Sequence, residues 1–494
     1  MKAIVNTLLV IIVMTSGVSA AVKLPKIFSD NMVLQRERPI IIWGWADPHE
    51  KIRIILNRQD KIFYAGKDGR WKVVLLPERG GGPYDLIVKG TNTIQLHDVM
   101  IGDVWVTAGQ SNMLFAVRKS LNAEQEMATA NYPNIRQFKM DNAASINPEE
   151  DYKNGRWRVC NPKTVGDFTA VGFFFAREIA KEINVPIGII NISRGGTNIE
   201  NWISLEAFKK SNAFTELVAS TRNIIPDTSI IAQGGKGSLN NYPGLLFNGM
   251  INPIVSLPIK GVLWYQGEAN IGRAYEYRKA FALLINDWRE RWGQGDFPFY
   301  FAQLSSYKGN HGTSNNGSMW AELRESQAQA LALPNTGMAV TIDIGDPQDI
   351  HPRNKQDVGK RLAAIALNKT YGKPVSWSGP HFRALFMEND KVRVSFDHAT
   401  PGLVTRGNSS EVKGFEIAGT DGKFYPATAT IEGDQVVLQS AAVKIPAAVR
   451  YAWADNSMDA NLYNKDGFPA APFRTDDWPS ITVRSKYLVK QQMN

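Results

Sequence analysis

The chain has 494 residues, of which 44% are hydrophobic and 10% aromatic, enough for about two or three domains with a large core and against extended disorder. Its formal net charge is +9, yet Lys and Arg are scattered and form no run of the kind that binds nucleic acid. A single cysteine, Cys160, excludes an intramolecular disulfide and a Cys-rich zinc site, and beside Val159 it reads as a small buried hydrophobe.

At the N-terminus Lys2 precedes an apolar run over 4–14, and Val18-Ser19-Ala20 has the small-residue pattern of a cleavage site. The expectation is a signal peptide over 1–20, cut near Ala20, with export to the periplasm or the medium. The run is too short for a comfortable span and no later stretch reaches about 18 apolar residues, so no stable membrane anchor is expected.

Residues 21–98 read as an N-terminal β domain. Short alternating runs at 40–45, 51–56, 61–64, 71–76, 84–88 and 93–96 are separated by Gly, Asp and Pro clusters. From 99 to 375 strand and helix patterns alternate. Strands are expected at 104–107, 186–192, 261–265, 299–304 and 338–342, and helices at 168–183, 275–292, 320–333 and 356–367. A helix is also expected to start over 113–117, and 205–240 reads as an insertion of loops and short helices. Residues 376–494 return to β texture, with clean alternation over 391–396. The fold class is therefore α/β: a doubly wound parallel sheet flanked by N-terminal and C-terminal β-sandwich-like domains.

Polar, Gly-rich segments follow the core strands, where such sheets keep their active sites. In DVWVTAGQSNM (103–113) an apolar run ends in Ala108-Gly109 and a serine follows two residues later. Strand, Gly turn, Ser111 and helix present a hydroxyl at the carboxyl edge of a sheet, although the same serine also fits a helix N-cap. Acyl transfer through a serine needs a base, and histidine is the usual one. Of His49, His97, His311, His351, His381 and His398, only His351 combines a loop after a core strand, a neighbouring carboxylate and a following helix. Asp349 is the nearest acceptor for its second nitrogen, with Asp346 and Asp343 behind. The Ser111 N–H, an N–H of Gly195 or Gly196 and the Gln266 amide are candidate oxyanion donors. No His, Asp and Glu cluster has metal-ligand spacing, so neither a metal nor an organic cofactor is implied.

The segments GQSNM (109–113), RGGTNIENW (194–202), WYQGEAN (264–270) and DIHPRNKQDVGKRLA (349–363) resemble the sialate O-acetylesterase family of the SGNH-hydrolase superfamily. FNGMI (247–251) and LRESQ (323–327) resemble it too, and the resemblance covers nearly the whole mature chain. It implies an SGNH-hydrolase-like catalytic domain over 99–375, with Ser111 as nucleophile and His351 as base. Gly195, Gly196 and Gln266 fall to the oxyanion hole, with Glu268 and Asn248 counted among oxyanion or substrate-binding residues. Many SGNH hydrolases place the acid three residues before the histidine, where this chain has Gln348. Either Asp349 orients His351, or a backbone carbonyl does so and leaves a Ser–His dyad. The implied substrate is O-acetylated sialic acid. Acetylated hemicellulose is the alternative within the class, and a non-catalytic glycan-binding protein is the alternative outside it.

Overall fold

The strand Thr93–Gly109 runs through the middle of the molecule and belongs to two structures at once. The computed structural model describes residues 21–489, apart from 142, 223, 225–241, 309–311 and 401. The expected signal peptide, His311 and residues 225–240 of the expected insertion lie outside the described residues.

The first half of this strand pairs antiparallel with Gly81–Lys89, and Val33–Gln35 pairs with it in parallel. Its second half is the centre of the main α/β sheet. There the spatial order is Thr336–Ala339, Phe299–Ala302, Gly261–Tyr265, Thr93–Gly109, Ile187–Ser193, Tyr132–Met140 and Gly155–Cys160. Every neighbouring pair is parallel except the last. Residues 98 and 99, on either side of the expected domain limit, are thus consecutive members of one strand.

From the central strand the chain first builds toward one edge, then crosses after Ile187–Ser193 to build the other. The carboxyl end of Thr93–Gly109 is therefore the topological switch point, where a crevice opens in such sheets. Side chains alternate across this strand. Val104, Val106 and Ala108 join one apolar cluster with Trp264, Phe281 and Trp288, whereas Trp105 joins another with Phe173, Phe174 and Leu362. Helices Ala274–Trp292 and Met319–Ala328 cover the first face, and Ala170–Glu182 and Lys355–Lys369 the second. Cys160 is fully buried in the second cluster, and burial pushes its thiol up to about 12.

The C-terminal part contains two four-stranded antiparallel sheets, centred on Lys391–Asp397 with Gln435–Gln439 and on Phe415–Ala418 with Ala448–Tyr451. Arg324 fastens it to the α/β core. Its guanidinium is fully buried and donates to the carbonyls of Leu304, Ser305, Ala454 and Asp455. The fixed fork of donors suits this four-carbonyl tie.

One expectation is corrected here, and two strands are added. The helix over 113–117 is a single turn, Ser111–Leu114. Beyond it the chain is drawn into pairing with 168–170, since Phe115 accepts from the Ala170 N–H and Val117 donates to the Phe168 carbonyl. Tyr132–Met140 and Gly155–Cys160 are strands that the pattern did not reveal. Their polar residues break the alternation because some are buried in specific bonds: Gln137 accepts the Thr169 N–H at 2.9 Å.

Candidate active site

The central strand must turn sharply to deliver Ser111 to the crevice, and Gly109 makes that turn. Its φ is +134°, and a Cβ there would lie 2.2 Å from the Tyr265 carbonyl oxygen. Both the conformation and the space exclude a side chain. Gly109→Ala is accordingly expected to cost about 2–4 kcal/mol of stability, read as a lower denaturant midpoint. The turn is then fixed by the Gln110 N–H donating to Tyr265 O at 3.0 Å and the Arg194 N–H donating to Gly109 O at 2.9 Å.

Gln110 occupies the cap position of the short helix and Ser111 is its first residue. The N-cap reading of Ser111 is thereby removed. Instead its Oγ lies 2.8 Å from His351 Nε2, across 240 residues of sequence. Hydroxyl and imidazole meet at a distance that allows direct proton transfer.

The loop that carries His351 is built from short-range carboxylate turns. Asp346 Oδ1 accepts the N–H groups of Gln348 and Asp349 at 2.8 and 3.3 Å. Asp349 Oδ1 accepts the His351 N–H at 2.8 Å and lies 3.4 Å from His351 Nδ1. The Asp349 side chain is 59% exposed, so it faces His351 from solvent rather than from a sealed pocket. Asp343 stands apart: it pairs with Arg361 through two 2.6 Å contacts and accepts the Tyr463 hydroxyl. The other described histidines stand in the β regions. His97 is paired with Asp85, and His398 packs edge-on against Trp377.

Gly195 reaches the nucleophile. A Cβ on it would be 3.4 Å from Ser111 Cβ, while Gly196 has φ +68° and open space around it. This loop follows Ile187–Ser193, next to the central strand. Gln266 does not act as expected from its sequence position. It is fully buried, and its Nε2 donates to Thr197 O at 3.1 Å and Asn270 Oδ1 at 2.8 Å. Both amide protons are engaged, so none is left for an oxyanion. Asn248 is also a brace: its Nδ2 donates to the carbonyls of Ser145 and Ile146 at 3.2 and 2.6 Å.

Glu268 is bonded to Asn112, the residue that follows the serine. Its Oε1 accepts from Asn112 Nδ2 at 2.5 Å, and burial raises its pKa above the ordinary carboxylate value. Asn112 and Lys355 are site residues that sequence reasoning did not single out, although both lie inside the quoted motifs. Both are fully buried, and Lys355 Nζ donates to Asn112 Oδ1 at 2.6 Å. Burial pulls the Lys355 ammonium down to about 7. The only signal was a polar residue beside the serine and a lysine opening an amphipathic helix, which ordinarily describes a surface.

Residues 101–368 match the family described as carbohydrate esterase, sialic acid-specific acetylesterase. The chain is 31% identical to mouse sialate O-acetylesterase, with 90% of this chain and 93% of the mouse protein covered. It is 32% identical to the human enzyme of the same name, over 71% of this chain and 72% of that one. A carbohydrate acetylesterase from Xanthomonas citri shares 41% identity and superposes with a TM-score of 0.85, covering 93% of this chain and all of the other. With the serine–histidine pair at the switch point of the sheet, these matches establish that the chain belongs to the sialic acid-specific acetylesterase family of carbohydrate esterases.

Proposed function

We propose that this esterase removes O-acetyl groups from sialic acids, with Ser111 as nucleophile and His351 as general base. The observation that carries the chemistry is the 2.8 Å contact between Ser111 Oγ and His351 Nε2. Ser111 Oγ attacks the acetyl carbonyl carbon while its proton passes to Nε2. The carbonyl oxygen becomes an oxyanion, with the Ser111 N–H and the Gly195–Gly196 loop as the nearest donors. The first-turn N–H groups of a helix favour that charge. As the tetrahedral centre collapses, the imidazolium gives its proton to the departing sugar oxygen and an acetyl-enzyme remains. Water, deprotonated by His351, then releases acetate and restores the serine.

The sialate assignment is supported by the names of the mammalian relatives, which this chain covers almost end to end in the mouse case. The Xanthomonas relative is named only as a carbohydrate acetylesterase, so acetylated hemicellulose is the outcome to test against. Acetate release from 9-O-acetylated sialic acid is expected to exceed release from acetylated xylan by at least about tenfold in kcat/KM. Preference for xylan would keep the acyl chemistry and overturn the substrate.

A further inference from the structure

Asn112 is bonded on three sides, and its partners join the two halves of the site. Its Nδ2 donates to Glu268 Oε1 at 2.5 Å and to the Ile350 carbonyl at 3.0 Å, and its Oδ1 accepts from Lys355 Nζ at 2.6 Å. An amide carries two donor protons and one acceptor oxygen, so each group has found a partner. Asn112 directly follows Ser111. Ile350 directly precedes His351, and Lys355 is four residues beyond it. The residue beside the nucleophile thus grips the base-bearing loop on both sides of the base.

The other possible orienter of His351 is poorly placed for the task. Asp349 is 59% exposed, lies 3.4 Å from Nδ1, and already accepts the His351 N–H through the same oxygen. By contrast, Asn112 and Lys355 are fully buried, and Lys355 Nζ is held over the rings of Phe115 and Tyr265 at 4.9 and 5.5 Å. The second Glu268 oxygen, Oε2, is buried without a hydrogen-bond partner among the described residues. Buried polar groups with satisfied bonds fix geometry, and losing one strands the rest without water.

We propose that Asn112, Glu268 and Lys355 are positioning residues that set the Ser111–His351 distance by tying the residue after the nucleophile to the loop that carries the base. The inference rests on the acetylesterase reading of Ser111 and His351. A displacement of about 1 Å between reacting groups costs on the order of a hundredfold in rate, with little effect on substrate binding.

The test is steady-state hydrolysis of p-nitrophenyl acetate, with active sites counted by a serine-directed fluorophosphonate so that misfolded protein does not enter kcat. Asn112→Ala is expected to lower kcat about a hundredfold with KM within about twofold of wild type. Glu268→Ala is expected to fall in the same way, and Glu268→Gln, which keeps an acceptor for Asn112, to recover at least about tenfold of that loss. If Asn112→Ala does not fold, Lys355→Met keeps the packing of the aliphatic stem and removes the ammonium, with its bond to Oδ1 and its contact with the two rings. Its kcat is then expected to fall at least about tenfold. Wild-type kcat per active site, a loss confined to KM, or no recovery by Glu268→Gln overturns the proposal. Ser111→Ala runs beside them: if it stays active, the acetylesterase reading has failed, and if it is dead while Asn112→Ala is normal, only this inference has.

Discussion

Ser111→Ala is expected to lower kcat for acetate release by at least about ten-thousandfold while leaving the fold in place. Removing the nucleophile of a serine hydrolase disables the whole catalytic unit, and what remains comes from binding and oxyanion stabilisation. The structure gives a reason to expect a clean result. The Ser111 hydroxyl has one partner among the described residues, His351 Nε2, and none of their backbone groups depends on it. The turn that presents it is held by main-chain bonds: the N–H groups of Met113 and Leu114 both donate to Gln110 O at 3.0 Å. The melting temperature should therefore stay within about 2 °C, as for substitutions that strand no buried partner. Acetate release measured beside a thermal melt checks both halves. Activity near wild type in a folded variant would remove Ser111 from the nucleophile's place.

Much of the architecture was legible because the core strands are short apolar runs ended by glycine. Gly261–Tyr265 and Ile187–Ser193 lie within a residue or two of where the pattern placed them. Fusion of the β flank with the catalytic sheet was not legible, and the reason is local. Asp98, a turn-type residue with φ +56°, reads as punctuation. In the fold it is a bulge: Leu86 faces Leu96 and Tyr84 faces Val99, so the strand absorbs Asp98 and continues. Arg136 binds the displaced backbone and carboxylate of Asp98 from Tyr132–Met140, two strands away in the sheet, a contact no local pattern encodes.

The site divides in the same way. Ser111, His351 and Gly195 all follow core strands, so chemistry and topology pointed at them together. Gln266 sits in an equally suggestive loop, yet its amide faces Thr197 and Asn270. Residue type and loop position establish that a group is near the crevice, not which way its protons point. The Asn112–Lys355 bond, spanning 243 residues, is fixed by the sheet that brings its two ends together.

The second large effect is expected at His351, and its contrast with Asp349 separates a triad from a dyad. His351→Ala should lower kcat about a thousandfold to ten-thousandfold, because no other described base is bonded to Ser111 Oγ. Asp349→Asn should cost only about tenfold. In a serine triad with a buried acid the same change costs about ten-thousandfold, since the carboxylate fixes the tautomer and stabilises the imidazolium out of water. Here the carboxylate is 59% exposed and 3.4 Å from Nδ1, where solvent screens its charge. Asparagine can still offer Oδ1 to the His351 N–H, so the loop turn survives. Matched kcat measurements on the two variants at several pH values decide the point. If Asp349→Asn falls as far as His351→Ala, the carboxylate closes onto Nδ1 when substrate excludes water, and the site works as a full triad. If the costs separate by two orders of magnitude, the histidine is held by its loop and the acid is an accessory.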